Sequence, residues 1–160
     1  MAKINIGLST PKEFKVGSAT IRLAQGTDFS HVFIRMVHSP HSKLAFDKVF
    51  QASHGDVNAL KYDNFTKENK IIREYELEVS DDNYLEIVNY LWEQLGKKYG
   101  FMQLLGIYTG LKLGNNGETR FICTELAAMV LEATGVDVNG DKDYLGLNDI
   151  KNILDEIPQE

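Results

Sequence analysis

One cysteine in this sequence lies where a thiol could become reactive. Cys123 follows the polar loop GNNGETR and begins a stretch with helical spacing of apolar residues. The unpaired N–H groups and the dipole of a helix start favour an anion, so this position stabilises a thiolate. With an imidazolium nearby, the pKa of such a cysteine drops below its free value of about 8.5. The sequence indicates a nucleophile at Cys123, and the alternative is a small buried hydrophobic residue.

A histidine is the candidate base for that thiol. His31 follows the turn-like segment 26–30 and begins a strand, on the face opposite Val32, Ile34 and Met36. A histidine held by rigid backbone can take the proton of a nearby thiol. The alternative is a partly exposed residue at a strand end with no chemical role.

The remaining histidines raise the question of a metal site. His38 and His41 are three residues apart, and His54 follows. Zinc accepts such ligands, but the segment is a Ser/Pro turn with no second cysteine and no HExxH motif. Residues 96–98 lack the other residues of a P-loop, and the sequence contains no GxGxxG. We therefore expect neither a metal nor an organic cofactor.

Composition narrows the class of protein. The chain has 160 residues, of which 43% are apolar and 25% charged, and this predicts one domain spanning residues 1–160. The net charge is −6 and no run of Lys or Arg exceeds two residues, which argues against nucleic acid as a partner. No apolar run has the length of a signal peptide or a membrane span. We expect a cytoplasmic protein without stable membrane insertion. Its delivery by lysis or in a phage particle is left open.

The elements that must position these residues change type about halfway along the chain. Strand-like alternation covers 4–8, 31–38, 46–52 and 71–79. Helical spacing covers 18–25, a stretch after Ser80, 102–111, 123–134 and 148–156. Hairpin-like strands followed by helices predict an α+β fold with an antiparallel sheet packed against helices. Ser18 and Asn148 are the expected helix N-caps, and Glu74, Glu76 and Glu78 form an expected solvated face.

Four segments resemble those of one known superfamily: SATIRLAQGTDFSHVFIRM, DKVFQAS, LGKKYGFMQLL and FICTELAAMVLEATG. They are similar, in turn, to a helix leading to a His-bearing strand, a strand with a polar residue, a Gly/Tyr segment and a "Cys-Ser-Glu-Leu" helix. The set resembles the circularly permuted branch of the NlpC/P60 (papain-like) superfamily. That branch includes the YiiX-like proteins and, more distantly, the lecithin:retinol acyltransferase-like proteins. Histidine first and cysteine last is the permuted order.

The resemblance implies roles for three residues on a permuted papain-like fold. Cys123 would be the nucleophile, His31 the general base and then acid, and Gln51 the group that orients the imidazole. A glutamine carbonyl can accept the imidazole N–H and fix its tautomer. Gln51 stands where relatives often have Glu or His. It ranks above Ser53, which shares its strand face, and above His54, which falls on the other face.

The resemblance also implies an activity. It predicts a cysteine hydrolase of amidase or peptidase type that acts through a thioester, with cell-wall-type peptides among its substrates and no cofactor. A lipid-directed acyltransferase or thioesterase of the same fold is one alternative. Two others are a catalytically silent binding module and an unrelated α+β binding domain. Which peptide, amide or acyl compound is the substrate is left open, and so is the oligomeric state.

Overall fold

A five-stranded sheet forms the frame of the molecule. The computed structural model describes residues 1–37, 47–53, 55–100, 107 and 120–158. The strands of this sheet are β1 (Ala2–Pro11), β2 (His31–Met36), β3 (Lys48–Ala52), β4 (Val57–Lys61) and β5 (Asn69–Val79). Their order across the sheet is β4-β3-β2-β1-β5, and every neighbouring pair is antiparallel.

Five α-helices, two short strands and one turn of 3-10 helix (Lys142–Tyr144) complete the described part of the chain. The helices are α1 (Val16–Gln25), α2 (Tyr62–Glu68), α3 (Asp81–Gln94), α4 (Cys123–Ala133) and α5 (Leu147–Asp155). The short strands β6 (Lys98–Tyr99) and β7 (Arg120–Phe121) pair in parallel. The predicted α+β class with an antiparallel sheet is confirmed. The predicted turn at 39–42 lies outside the described residues, as does the predicted helix at 102–111 except for residue 107.

Both faces of the central strands are buried. One face, with Val32, Ile34 and Met36 of β2, packs in the main core with helices α3, α4 and α5. The other face carries a smaller cluster of Phe33, Val49 and Phe65, the last supplied by α2. The sequence analysis did not predict β4 or α2. Pairing with β3 defines β4, and α2 has only seven residues, too few to show a helical period.

A β-bulge reverses the two faces of β5 near its start. The register between β1 and β5 shifts between Leu8 and Ser9. Ile72 consequently packs on the main core and Ile71 on the smaller cluster. A strict alternation along 71–79 predicts the reverse, with Ile72 on the face of Glu74 and Ile71 on the face of Tyr75. That prediction is wrong, because a bulge inserts one residue into the period of two.

Neither expected N-cap begins its helix. Helix α1 begins after Lys15, and Ser18 lies buried inside it with its Oγ 2.6 Å from the Oγ of Ser30. Helix α5 begins after Gly146, while the Asn148 side chain donates to the backbone carbonyl of Gln25. Both polar side chains form hydrogen bonds to residues outside their own helix and do not cap its first turn.

One of the glutamates expected on a solvated face belongs to an ionic cluster. Glu74 accepts hydrogen bonds from Arg35 (3.3 Å) and from the Tyr62 hydroxyl (2.6 Å). Arg35 also forms two bonds to the carboxylate of Asp47, at 2.9 and 3.0 Å. Burial and the bond to Glu74 raise the pKa of Tyr62 to about 12. The expectation for Glu74 is therefore wrong, since its carboxylate is held between β2, β5 and α2.

Candidate active site

The structure brings His31 and Gln51 together. His31 is the first residue of β2, and Gln51 lies near the end of the neighbouring strand β3. The distance between His31 Nε2 and Gln51 Oε1 is 2.7 Å. An amide oxygen can only accept, so Nε2 donates its proton and the lone pair of the neutral ring lies on Nδ1. The imidazole ring also lies near Phe65, with 6.5 Å between the ring centroids.

Cys123 is the first residue of α4, as the sequence predicts, and only 6% of it is exposed. Burial raises the pKa of its thiol, and backbone hydrogen bonds from Val32, Thr124 and Cys123 itself lower it by a smaller amount. The net direction is opposite to the lowering expected from the helix start alone. A thiol of this kind stays protonated at neutral pH, so a base must remove its proton before the sulfur can attack.

The backbone of Val32 is one of the groups that lower the pKa of the thiol, so the sulfur lies near this residue. Val32 directly follows His31, so the sulfur of Cys123 lies beside the peptide that joins these two residues. His31 and Gln51 are on the sheet face of the smaller cluster, whereas Cys123 belongs to the main core. The thiol and the histidine thus approach the same stretch of β2 from two sides.

The ladder between strands β2 and β3 ends before it reaches His31 and Gln51. The pairing of these strands runs from Met36 and Lys48 to Ile34 and Phe50 and ends there. His31 and Gln51 both lie beyond the last pair, where the strands are no longer joined by a ladder. Helix α4 packs against both strands. The start of α4 therefore meets the sheet at the end where its central strands separate.

A small cavity lies beside the thiol. Its volume is about 20 Å³, and its lining includes Cys123, Thr124, Ile21 and Tyr99. A space of this size holds about one water molecule or one carbonyl oxygen. Thr124 is 3% exposed, and its Oγ1 has no hydrogen-bond partner among the described residues. Thr124, with its buried hydroxyl, thus follows the candidate nucleophile in the sequence and lines the same cavity.

Ser53 and His54 are the lower-ranked candidates for the residue that orients the imidazole. Ser53 Oγ accepts a hydrogen bond from Asn58 Nδ2 at 3.1 Å, and Asn58 Oδ1 accepts one from Gln51 Nε2 at 3.2 Å. His54 lies outside the described residues, as do His38 and His41. Sequence reasoning missed Asn58 because it did not predict β4. The signal was its polar side chain two residues before Leu60 in an otherwise apolar short segment.

The expectations about a metal site and a membrane-spanning helix can be compared with the described part of the chain. There, no three His, Cys, Asp or Glu side chains lie close enough together to hold a metal ion. Nor does any helix in those ranges have the length and apolar character needed to cross a bilayer.

Comparison with known proteins gives no further guide to this site. A scan against models of protein families and a search of curated proteins both found no match to this chain. The chemistry of the site therefore has to follow from its own residues.

Proposed function

We propose that this protein is a cysteine hydrolase of amidase or peptidase type with a permuted papain-like fold, in which Cys123 is the nucleophile and His31 the base. The observation that carries the proposal is the bond from His31 Nε2 to Gln51 Oε1. It leaves the lone pair on Nδ1 of a histidine whose neighbour Val32 lies near the thiol. A buried, protonated thiol needs a base before it can attack, and in the proposed mechanism Nδ1 of His31 supplies it.

The proposed reaction begins with transfer of the thiol proton to Nδ1 of His31. The sulfur attacks the substrate carbonyl carbon, and the carbonyl electron pair moves to the oxygen. The imidazolium is stabilised by the Gln51 carbonyl and returns its proton to the leaving amine as the C–N bond breaks. Water then attacks the thioester with His31 as base, which releases the acid and restores the thiol.

The oxygen that becomes negative needs hydrogen-bond donors. The start of α4 supplies backbone N–H groups that have no carbonyl partner within the helix. Thr124 lines the same cavity, and its buried hydroxyl, which has no partner among the described residues, is the side-chain donor we propose for an oxygen placed there. Donors that are already in position stabilise the oxyanion without having to reorganise. We assign the oxyanion site to this cavity.

The rate of alkylation of Cys123 by iodoacetamide tests the proposal. We expect the His31→Ala variant to react roughly 100-fold more slowly than the parent protein near neutral pH, because the buried thiol loses the base that takes its proton. The rate is measured from acid to mildly alkaline pH. Cys123→Ser shows that the label reports this thiol, and Glu93→Ala, which changes an exposed residue of α3, controls for an unrelated substitution.

Denatured samples separate chemistry from access. In denaturant the parent and His31→Ala should react at the same rate, since the base acts only in the folded protein. Equal rates for the two folded proteins would overturn the proposal and leave a binding module. A difference that persists in denaturant would show that the effect of His31 does not need the folded site, and this result would also overturn the proposal.

A second candidate function is favoured by one surface. Phe14, Val16 and Leu23 are 78%, 71% and 86% exposed, and the opposite side of α1 contributes Ile21 to the cavity. Exposed apolar side chains at an active-site helix suit a lipid surface, as a lipid-directed acyltransferase or thioesterase requires. Sedimentation with phospholipid vesicles checks this: the parent should bind and Leu23→Ser should not. Failure of the parent to bind removes this candidate and leaves the hydrolase proposal standing.

A further inference from the structure

A series of side-chain hydrogen bonds leads from His31 away from the cavity. Gln51 accepts from His31 through Oε1 at 2.7 Å and donates through Nε2 to Asn58 Oδ1 at 3.2 Å. Asn58 in turn donates through Nδ2 to Ser53 Oγ at 3.1 Å. The same Nδ2 lies 3.5 Å from the backbone oxygen of Asp56 and 3.4 Å from its Oδ1. Two amides therefore stand between Asp56 and the imidazole.

The far end of this series fixes the direction of every bond in it. A backbone carbonyl can only accept, so the Nδ2 of Asn58 must face Asp56 and its Oδ1 must face Gln51. Gln51 must then turn its NH2 group towards Asn58 and its oxygen towards His31. A Gln51 amide in the opposite orientation would present a donor to the ring and favour the tautomer with the proton on Nδ1. That tautomer cannot accept the thiol proton at Nδ1.

Backbone hydrogen bonds hold this far end in place. The Ser53 N–H donates to the Asp56 carbonyl at 3.1 Å, and the Val57 N–H donates to the Lys97 carbonyl at 2.8 Å. The Tyr99 N–H donates to the Gly55 carbonyl at 3.1 Å. The turn between β3 and β4 is thus joined to the segment that carries β6. An acceptor fixed by such bonds cannot rotate to suit the side chains.

We infer that Asn58 is a positioning residue that sets the tautomer of His31 through Gln51. Its catalytic consequence rests on the proposed function, but its effect on the tautomer does not. Asn58 is not part of the cavity lining and acts two hydrogen bonds away from Nδ1. Its role differs from that of Gln51, which touches the ring.

The tautomer of His31 can be read directly from the ¹⁵N shifts and couplings of its ring nitrogens by NMR. In the parent protein we expect the proton on Nε2. In Asn58→Leu, which has nearly the shape of asparagine but no polar atoms, the Nδ1–H form should rise roughly fivefold, the bias that one hydrogen bond supplies. Asn58→Val, which suits a strand, gives the same readout if the leucine variant does not fold.

A second substitution separates positioning from general damage. In Gln51→Glu the carboxylate has no donor to present, so His31 must donate from Nε2 whatever residue 58 is. Adding Asn58→Leu to Gln51→Glu should then leave the tautomer unchanged. An equal rise of the Nδ1–H form in both backgrounds, or no rise in Asn58→Leu alone, would overturn the inference.

The two proposals fail in different ways. If alkylation of Cys123 does not depend on His31, the hydrolase proposal is lost, whereas the NMR experiment still decides the role of Asn58. If alkylation depends on His31 but Asn58→Leu keeps the parent tautomer, only the positioning role is lost. Thermal unfolding of each variant confirms that the ring signals come from folded protein.

Discussion

At the scale of single residues, the site depends on an uncharged resting state. Burial raises the pKa of the Cys123 thiol more than its backbone hydrogen bonds lower it. A thiol of this kind is protected from unwanted reaction and becomes a nucleophile only when its proton has an acceptor. In the proposed mechanism that acceptor is Nδ1 of His31, where the bond to Gln51 leaves the lone pair. The distribution of protons is therefore as important to the proposed chemistry as the positions of the heavy atoms.

Thr124 should show opposite effects on stability and on activity. Its buried Oγ1 has no partner among the described residues, so Thr124→Val should raise the free energy of unfolding by about 1 kcal/mol. The same substitution removes a donor from the proposed oxyanion site and should slow turnover of an activated ester by at least tenfold. Urea unfolding and ester hydrolysis measure the two effects. Thr124→Ser keeps the hydroxyl and serves as the control, and a valine variant of full activity would contradict the assignment.

At the scale of elements, strand β2 is positioned from both of its neighbours and from both faces. Gly7 of β1 lies opposite Phe33 of β2, and the Phe33 ring covers the place where a side chain at residue 7 would begin. Phe33 also packs against Phe65, with 4.6 Å between their ring centroids. His31 lies on the same face of β2, two residues away. Because Gly7 has no side chain, the Phe33 ring of β2 can lie directly over the backbone of β1.

Alanine substitutions at two glycines should have opposite effects. In Gly7→Ala the new Cβ would lie 2.1 Å from Phe33 Cζ, and overpacking of this kind costs about 1–3 kcal/mol. In Gly17→Ala nothing lies within 4 Å of the new Cβ, and alanine within a helix is favoured by up to about 0.5–1 kcal/mol. Urea unfolding of both variants compares them. Similar shifts in the same direction would show that the Phe33 contact does not limit residue 7.

Local pattern sufficed to predict some of these elements and not others. The alternation around His31 and the helical spacing after Cys123 predicted β2 and α4, because each signal is complete within its own segment. The bulge that separates Ile71 from Ile72 depends on the partner strand and leaves no local trace. The same holds for β4, and Asn58 was missed with it. Contacts between distant segments decided what the sequence pattern could not.

At the scale of the whole molecule, buried hydroxyl and thiol groups make the free energy of unfolding depend on pH in the alkaline range. The Tyr75 hydroxyl joins β5 to α5 through a bond of 2.6 Å to Asp155, and burial together with this bond raises the pKa of Tyr75. Burial also raises the pKa of Tyr90 to about 12. With Tyr62 and Cys123, four groups in different parts of the fold keep their protons more firmly than in the unfolded chain.

The free energy of unfolding should therefore fall at high pH in two stages. A group with a raised pKa in the folded state contributes stability that is fully present below its unfolded pKa and is lost as pH rises towards its folded pKa. The loss should begin near pH 8.5 for the cysteine and near pH 10 for the tyrosines, about where these groups titrate when unfolded. Urea unfolding across this range measures it.

Single substitutions assign the two stages. Cys123→Ala should remove the first stage and keep the second, whereas Tyr75→Phe should weaken only the second. A free energy of unfolding that stays constant up to strongly alkaline pH would contradict both assignments. So would a first stage that survives in Cys123→Ala.

The order of the elements along the chain has a consequence for biosynthesis. All five strands of the main sheet, with His31, Gln51 and Asn58 on them, precede Cys123 in the sequence. A ribosome therefore releases the histidine and its two amide partners before it adds the thiol. The sheet can assemble around its hydrogen-bonded imidazole while no cysteine is yet present. The proposed pair of thiol and imidazole can therefore form only after α4 has been synthesised and has packed on the sheet.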